Sequence, residues 1–257
     1  MTPRRVPALA AALAAALLTL TACAAPPTTT YTDEHGAEVT VDWVDYPGSA
    51  GVVAEEVLQA PLEADVEGTG AALMASIQSR LDAEFALDWS TTGEPGWFPT
   101  EGNGFGGPST YISYNSQERF TDTVPGTVAE WERVVQIVSE ETAVYGLGVV
   151  VLDHERSDFS PDDEWQRERY GTDDPREYWS WSGWAYGASQ WLSLHLADVE
   201  RDPSGRAAED HERHGWQPRT ISLSYGATVV PDAERASFTE RLEPFTGLKV
   251  PDATSSD

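Results

Sequence analysis

Cys23 is the only cysteine in a chain of 257 residues, so no internal disulfide can staple any part of it and the fold must rest on packed side chains. The cysteine's position is as restrictive as its solitude. Arg4 and Arg5 lead into an Ala/Leu-rich run from Val6 to Thr19, and Leu20-Thr21-Ala22 then precede the cysteine. That run is shorter than the ~20 apolar residues a spanning helix needs. A positive start, a short apolar core and small residues before a processing point make residues 1–22 an export signal peptide.

Leu20-Thr21-Ala22-Cys23 resembles the bacterial lipobox. The resemblance implies diacylglyceryl transfer to Cys23, cleavage before it, and a protein anchored by lipid at the cell membrane on its extracytoplasmic side. At ~0.8 kcal/mol per buried CH₂, two acyl chains hold far more firmly than one myristoyl group. Lipidation also consumes the only thiol, leaving the body no sulfur for a nucleophile or a metal.

Charge narrows the partners. The chain carries 16 Lys and Arg against 43 Asp and Glu, a net of −27, and its one lysine is Lys249. Removing the signal lowers the balance to −29. Nucleic acid is excluded, because phosphate binding rests on clustered Lys and Arg. Direct binding to anionic headgroups is disfavoured for the same reason, which leaves the bilayer as a partner only through the lipid on Cys23. A hydrophobic content of 40%, with 10% aromatic residues, is enough for a folded body. Residues 23–40, rich in Pro and Thr at their start, are expected to be a lipidated tether of roughly 20 Å if flexible. Residues 41–247 form one domain and 248–257 a disordered tail.

Hydrophobic periodicity predicts the elements of that domain. Leu73, Ile77, Leu81 and Phe85 put one apolar stripe on a helix over 68–87, with Met74 beside it. Thr127 and Glu130 form a capping box for a second helix, whose apolar face is Val128, Trp131, Val135, Val138 and Tyr145 and whose stop is Gly146. The β-branched run 147–152 reads as a buried central strand. Alternation predicts strands at 38–43, 110–114, 192–196 and 221–229, the last two with one wet face. The polar connection 198–217 is expected to lie outside the core, and 232–242 to be a helix ended before Pro244. The order implies an α+β fold, an antiparallel sheet with two long helices packed on one face.

Catalytic signals are weak. His211-Glu212-Arg213-His214 misses the spacing of a zinc protease by one residue, since position 215 is glycine. The two histidines are read as solvated, His195 as lying on the exposed face of its strand, His35 as part of the tether. Asp153, Glu155 and Asp158 offer paired carboxylates for glycoside hydrolysis, with His154 between the first two, yet 43 acidic residues make such pairs common. The loop Gly102–Gly107 does not join a strand to a helix, so it lacks the context for cradling phosphate. Asp162-Asp163-Glu164 fit the first turn of a short helix better than a calcium loop. Neither a metal nor a cofactor is expected.

The remaining feature is a run of rings, Tyr178, Trp179, Trp181, Trp184, Tyr186 and Trp191, with Trp165 and Trp216 as possible neighbours. Rings beside carboxylates suit sugars or peptides, but Trp also fills cores. Trp179, Trp181 and Trp184 are the candidate binding patch; Trp191 is assigned to the core and Trp179 is expected to be the most exposed ring.

The lipobox, the acidic α+β body, the excess of arginine over lysine and the Thr/Pro-rich tether together resemble the lipoproteins of high-GC actinobacteria, in particular the LppA-like group. The resemblance implies surface location and transfers no site beyond Cys23. Two functions fit: a non-enzymatic envelope module that binds a protein or glycan, or a cell-wall or glycan hydrolase using carboxylates near Asp153 and Glu155.

Overall fold

The computed structural model describes residues 26–156 and 163–255, the side chains of 163–166 excepted. The expected signal peptide, Cys23, Asp158, Asp162 and the side chain of Trp165 lie outside the described residues. In chain order the elements are β1 (Thr28–Thr32), β2 (Glu38–Asp42), α1 (Ala54–Gln59), α2 (Glu63–Phe85), β3 (Ser90–Thr92), β4 (Gly96–Pro99), β5 (Ile112–Asn115), β6 (Glu118–Thr121), α3 (Val128–Val144), β7 (Val151–Leu152), α4 (Asp163–Tyr170), β8 (Ser180–Gly187), β9 (Gln190–Asp198), α5 (Arg206–His214), β10 (Arg219–Val229) and α6 (Arg235–Leu242). The fold is α+β, with a mixed-length antiparallel sheet in the order β3-β6-β10-β9-β8-β7 and with β5 and β4 added beside β10.

Strand alternation sorts the side chains of the sheet onto two faces. Trp181 and Ala185 of β8, Leu192, Leu194 and Leu196 of β9, and Ile221, Leu223 and Tyr225 of β10 join Leu73, Ile77 and Leu81 of α2 and Trp131, Val134 and Val138 of α3 in one buried cluster. Gly70 lets α2 approach the sheet closely, because a Cβ there would come within 2.3 Å of the Tyr225 ring. The second core lies beyond that cluster and is largely aromatic. Trp43, Tyr46, Phe105 and Phe245 meet at centroid separations of 5.1 to 6.3 Å. Buried Asn103 ties the glycine-rich loop to that core, donating to the carbonyls of Trp43, Val44 and Tyr46 and accepting from the N–H groups of Phe105 and Gly107. That loop is therefore a structural support.

Helix ends follow their local chemistry. Thr127 and Glu130 make the reciprocal capping box at the start of α3. α2 begins five residues earlier than its apolar stripe suggests, because a distant residue caps it: the Asp232 carboxylate accepts from the N–H groups of Glu63 and Ala64, while Glu63 accepts from the Asp232 N–H. No periodicity along the helix could report a cap 168 residues away in sequence.

Several expectations are corrected. The run 147–152 is not a central strand; only Val151 and Leu152 pair, at the edge of the sheet beside β8. Gly146 and Gly148 both take positive φ, 81° and 77°, which breaks the run into a turn that buries Leu147 and Val150. The span expected to be tether contains the β1–β2 hairpin, with His35 in its turn, because Tyr31, Val39 and Val41 alternate toward the second core. Leu248 and Val250 of the expected tail pack on the same core, and the N–H groups of Thr254 and Ser255 donate to the Gly104 carbonyl. The polar connection 198–217 contains α5, whose Ala207 and His211 are buried.

Candidate functional site

The face of the sheet turned away from α2 and α3 carries hydroxyl groups and rings. Register sets them in rows: Ser182, His195 and Ser222; then Trp184, Ser193 and Ser224; then Tyr186, Trp191 and Gly226. Gly226 is required in the last row, since a Cβ there would come within 2.2 Å of the Trp191 ring that lies over it.

α5 closes one end of this face. Gly205 and Gly215, with φ of 74° and 69°, turn the chain at its two ends. Its residues Ala207, His211 and His214 follow an i, i+4, i+7 spacing that places them on one side. Ala207 packs with Trp179, Ala197 and Val199 in a small third cluster. Between α5 and the sheet remains a cavity of about 580 Å³, whose lining includes Trp179, Ser180, His195, His211, Trp216 and Ser222. Thr92, Glu118, Arg169, Asp210, Gln217 and Thr220 supply the rest of its polar lining.

The indole and imidazole rings of the cavity are held. The His211 Nδ1–H donates to the Gln217 carbonyl at 2.8 Å, a partner that can only accept, so in the neutral ring Nε2 keeps its lone pair. The same ring stands edge-on to Trp179 at 5.6 Å and to Trp216 at 5.5 Å. Trp179 donates its indole N–H to the Arg169 carbonyl and lies beneath the Arg169 guanidinium at 5.3 Å. His214 stacks on Trp216 at 4.7 Å and 26°. Trp216 is nonetheless 59% exposed. His195 Nε2 and the Ser180 hydroxyl share a hydrogen bond of 2.9 Å. Burial pushes the His195 pKa below the ordinary histidine value, and the nearby His211 and Arg169 side chains push it further the same way through their electrostatic interaction with it.

The expected patch is divided by this geometry. Trp179 is only 6% exposed rather than the most exposed ring, because α5 and Arg169 cover it. Trp181, 3% exposed, sits in the main core with its ring edge-on to Trp131 at 5.3 Å. Trp184 is half-buried on the opposite face, stacked at 5.9 Å with Tyr186. Trp191 is half-buried on that same face rather than in the core. His195 and His211, read as exposed, are half-buried and buried, since α5 folds over the sheet with His211 on its inner side. The signal that would have found them is the spacing of Ala207, His211 and His214 between two glycines.

The acidic candidates lie elsewhere. Asp153, His154 and Glu155 form a short 3-10 turn after β7. The Glu155 carboxylate accepts from the Leu152 N–H at 3.2 Å, and the His154 ring stands edge-on to Tyr178 and Trp181. Burial raises the Asp153 pKa and lowers that of His154. Among the described residues no group of three or more His, Cys, Asp or Glu side chains is arranged to hold a metal ion. No described helix is long and apolar enough to cross a membrane.

No family model matches this chain, and neither a curated protein nor a solved structure matches it.

Proposed function

We propose that this chain is a lipid-anchored, extracytoplasmic binding protein, held to the membrane through a diacylglyceryl group on Cys23 and taking a small ligand in the cavity beneath α5. The cavity carries the binding half of this reading. Its volume falls in the 300–1,000 Å³ range of small-ligand pockets, and it combines aromatic walls with a few convergent polar groups. The short signal-like N-terminus and the sequence around Cys23 support the anchoring half. β1 begins at Thr28, so only four residues separate Cys23 from folded structure, a reach of at most about 14 Å. The body is therefore held close to the bilayer.

Two measurements test the reading. In the native host, wild-type protein should partition into detergent with a diacyl mass on Cys23, and Cys23→Ala should not; an aqueous wild type without that mass overturns the anchor. A fragment screen on isotope-labelled protein should shift the indole N–H resonances of Trp179 and Trp216 together. Fragments that never move those two resonances overturn the pocket.

A further inference from the structure

We infer that the cavity is the end subsite of a groove for an uncharged oligosaccharide, running from Trp216 and His195 across the serine rows to the stacked pair Trp184 and Tyr186. The inference rests on the binding reading above and names the ligand class.

Charge selects the class. A chain of net −27 presents in these rows of β8, β9 and β10 a strip of Ser182, Ser193, Ser222, Ser224, His195 and three further rings, with no Asp, Glu, Lys or Arg among them. A cation finds the face of Trp179 already beneath Arg169. An anion meets Asp210 and Glu118 in the cavity lining and the field of the whole molecule. An uncharged ligand meets neither penalty.

Hydrogen bonding narrows it further. Serine and threonine hydroxyls both donate and accept, as does the Gln217 amide, so the strip matches a ligand whose own groups do the same. Sugar hydroxyls have that property; a hydrocarbon has none of it, and a peptide backbone would seek an open strand edge rather than a face. The rings supply the apolar half of the recognition. His211 and His214 fix the plane of Trp216 while leaving it 59% exposed, and Tyr186, 57% exposed, is stacked with Trp184. A sugar ring lays its C–H face on such surfaces and turns its hydroxyls to the sides.

Spacing argues for several rings rather than one. Successive rows along a strand are two residues apart, about 7 Å. The row of Trp184 thus lies about 7 Å beyond His195's, and Tyr186's about 14 Å. The cavity alone does not reach them, because its lining stops at Ser180, His195 and Ser222 on these strands.

The test is titration calorimetry and indole NMR with four neutral tetrasaccharides (cellotetraose, maltotetraose, mannotetraose and tetra-N-acetylchitotetraose) and their monosaccharides. At least one tetrasaccharide should bind saturably and about tenfold more tightly than its monosaccharide. Trp216→Ala and Trp184→Ala should each weaken it about tenfold while lowering the melting temperature by no more than about 4 °C, and Trp216→Phe should retain most of the affinity. If no tetrasaccharide moves the Trp216 resonance although fragments do, the ligand class is overturned and the pocket stands. If monosaccharide and tetrasaccharide bind equally and Trp184→Ala is silent, the extended groove is overturned. If neither sugars nor fragments shift Trp179 and Trp216, this inference falls together with the pocket.

Discussion

Burial of His195 and His154 sets how the molecule answers mild acid. Both rings have pKa values pushed below the ordinary 6.5, in each case first by burial, so the folded protein binds fewer protons than the unfolded chain. Their contribution to stability is complete above the unfolded value and is lost as pH falls through 6.5 toward the lower folded values. Thermal melts should therefore drop between pH 7.5 and pH 5, and a variant carrying His154→Gln and His195→Gln should show a flatter profile; an unchanged slope would place the titrating groups elsewhere. At the same scale the tryptophans separate by face. Trp181→Ala opens a cavity against Trp131 and should cost about 3 to 5 kcal/mol in urea unfolding, whereas Trp184→Ala should cost about 1 kcal/mol or less. The sequence grouped Trp181 with Trp184 in one candidate patch, and only the strand β8 puts them, an odd and an even position, on different faces. Which face was wet could not be read there, because Trp suits both a core and a binding surface.

Among the elements, those with self-contained signals were legible and those with distant partners were not. The capping box at Thr127 and Glu130 lies within four residues and was visible at once. Thr127→Ala should destabilise by about 1 kcal/mol, measured by urea unfolding, since the N–H of Glu130 loses the hydroxyl that accepts from it. The strand from 219 to 229 announced itself through nine residues of alternation, 221–229. The edge strand at 151–152 was misread because β-branched residues mark a strand without saying how much of it pairs. α5 was hidden for the opposite reason. Seven of its nine residues are charged or histidine, so it looks like loop until the spacing of Ala207, His211 and His214 is counted. The cavity exists only where α5 meets the sheet, and its walls come from β3, β6, β8, β9 and β10, elements far apart in sequence. Its histidines therefore read as solvated in a linear sequence even though both were noticed.

For the whole molecule, the decisive quantity is the distance between a strongly acidic body and the bilayer. The hairpin that starts at Thr28 replaces most of the tether expected over 23–40, because Tyr31, Val39 and Val41 find the second core. That core was not legible from any one segment: it gathers Trp43, Phe105, Phe238 and Phe245 from three distant stretches. With the lipid on Cys23 as proposed, four residues let the body rise by at most about 14 Å. At physiological salt that reach exceeds the ~8 Å Debye length, so repulsion from anionic lipid is largely screened. At 0.01 M the Debye length is about 30 Å, and repulsion spans the whole gap. Neutron reflectometry on lipidated protein in anionic bilayers should accordingly show the body moving outward as salt is lowered from 0.15 M to 0.01 M, by less than about 14 Å. Insertion of a flexible Gly-Ser segment after Ala25 should enlarge that movement with its length. A wild-type displacement well above 14 Å would mean that β1 and β2 peel from the second core under load, and that the hairpin is a tether after all.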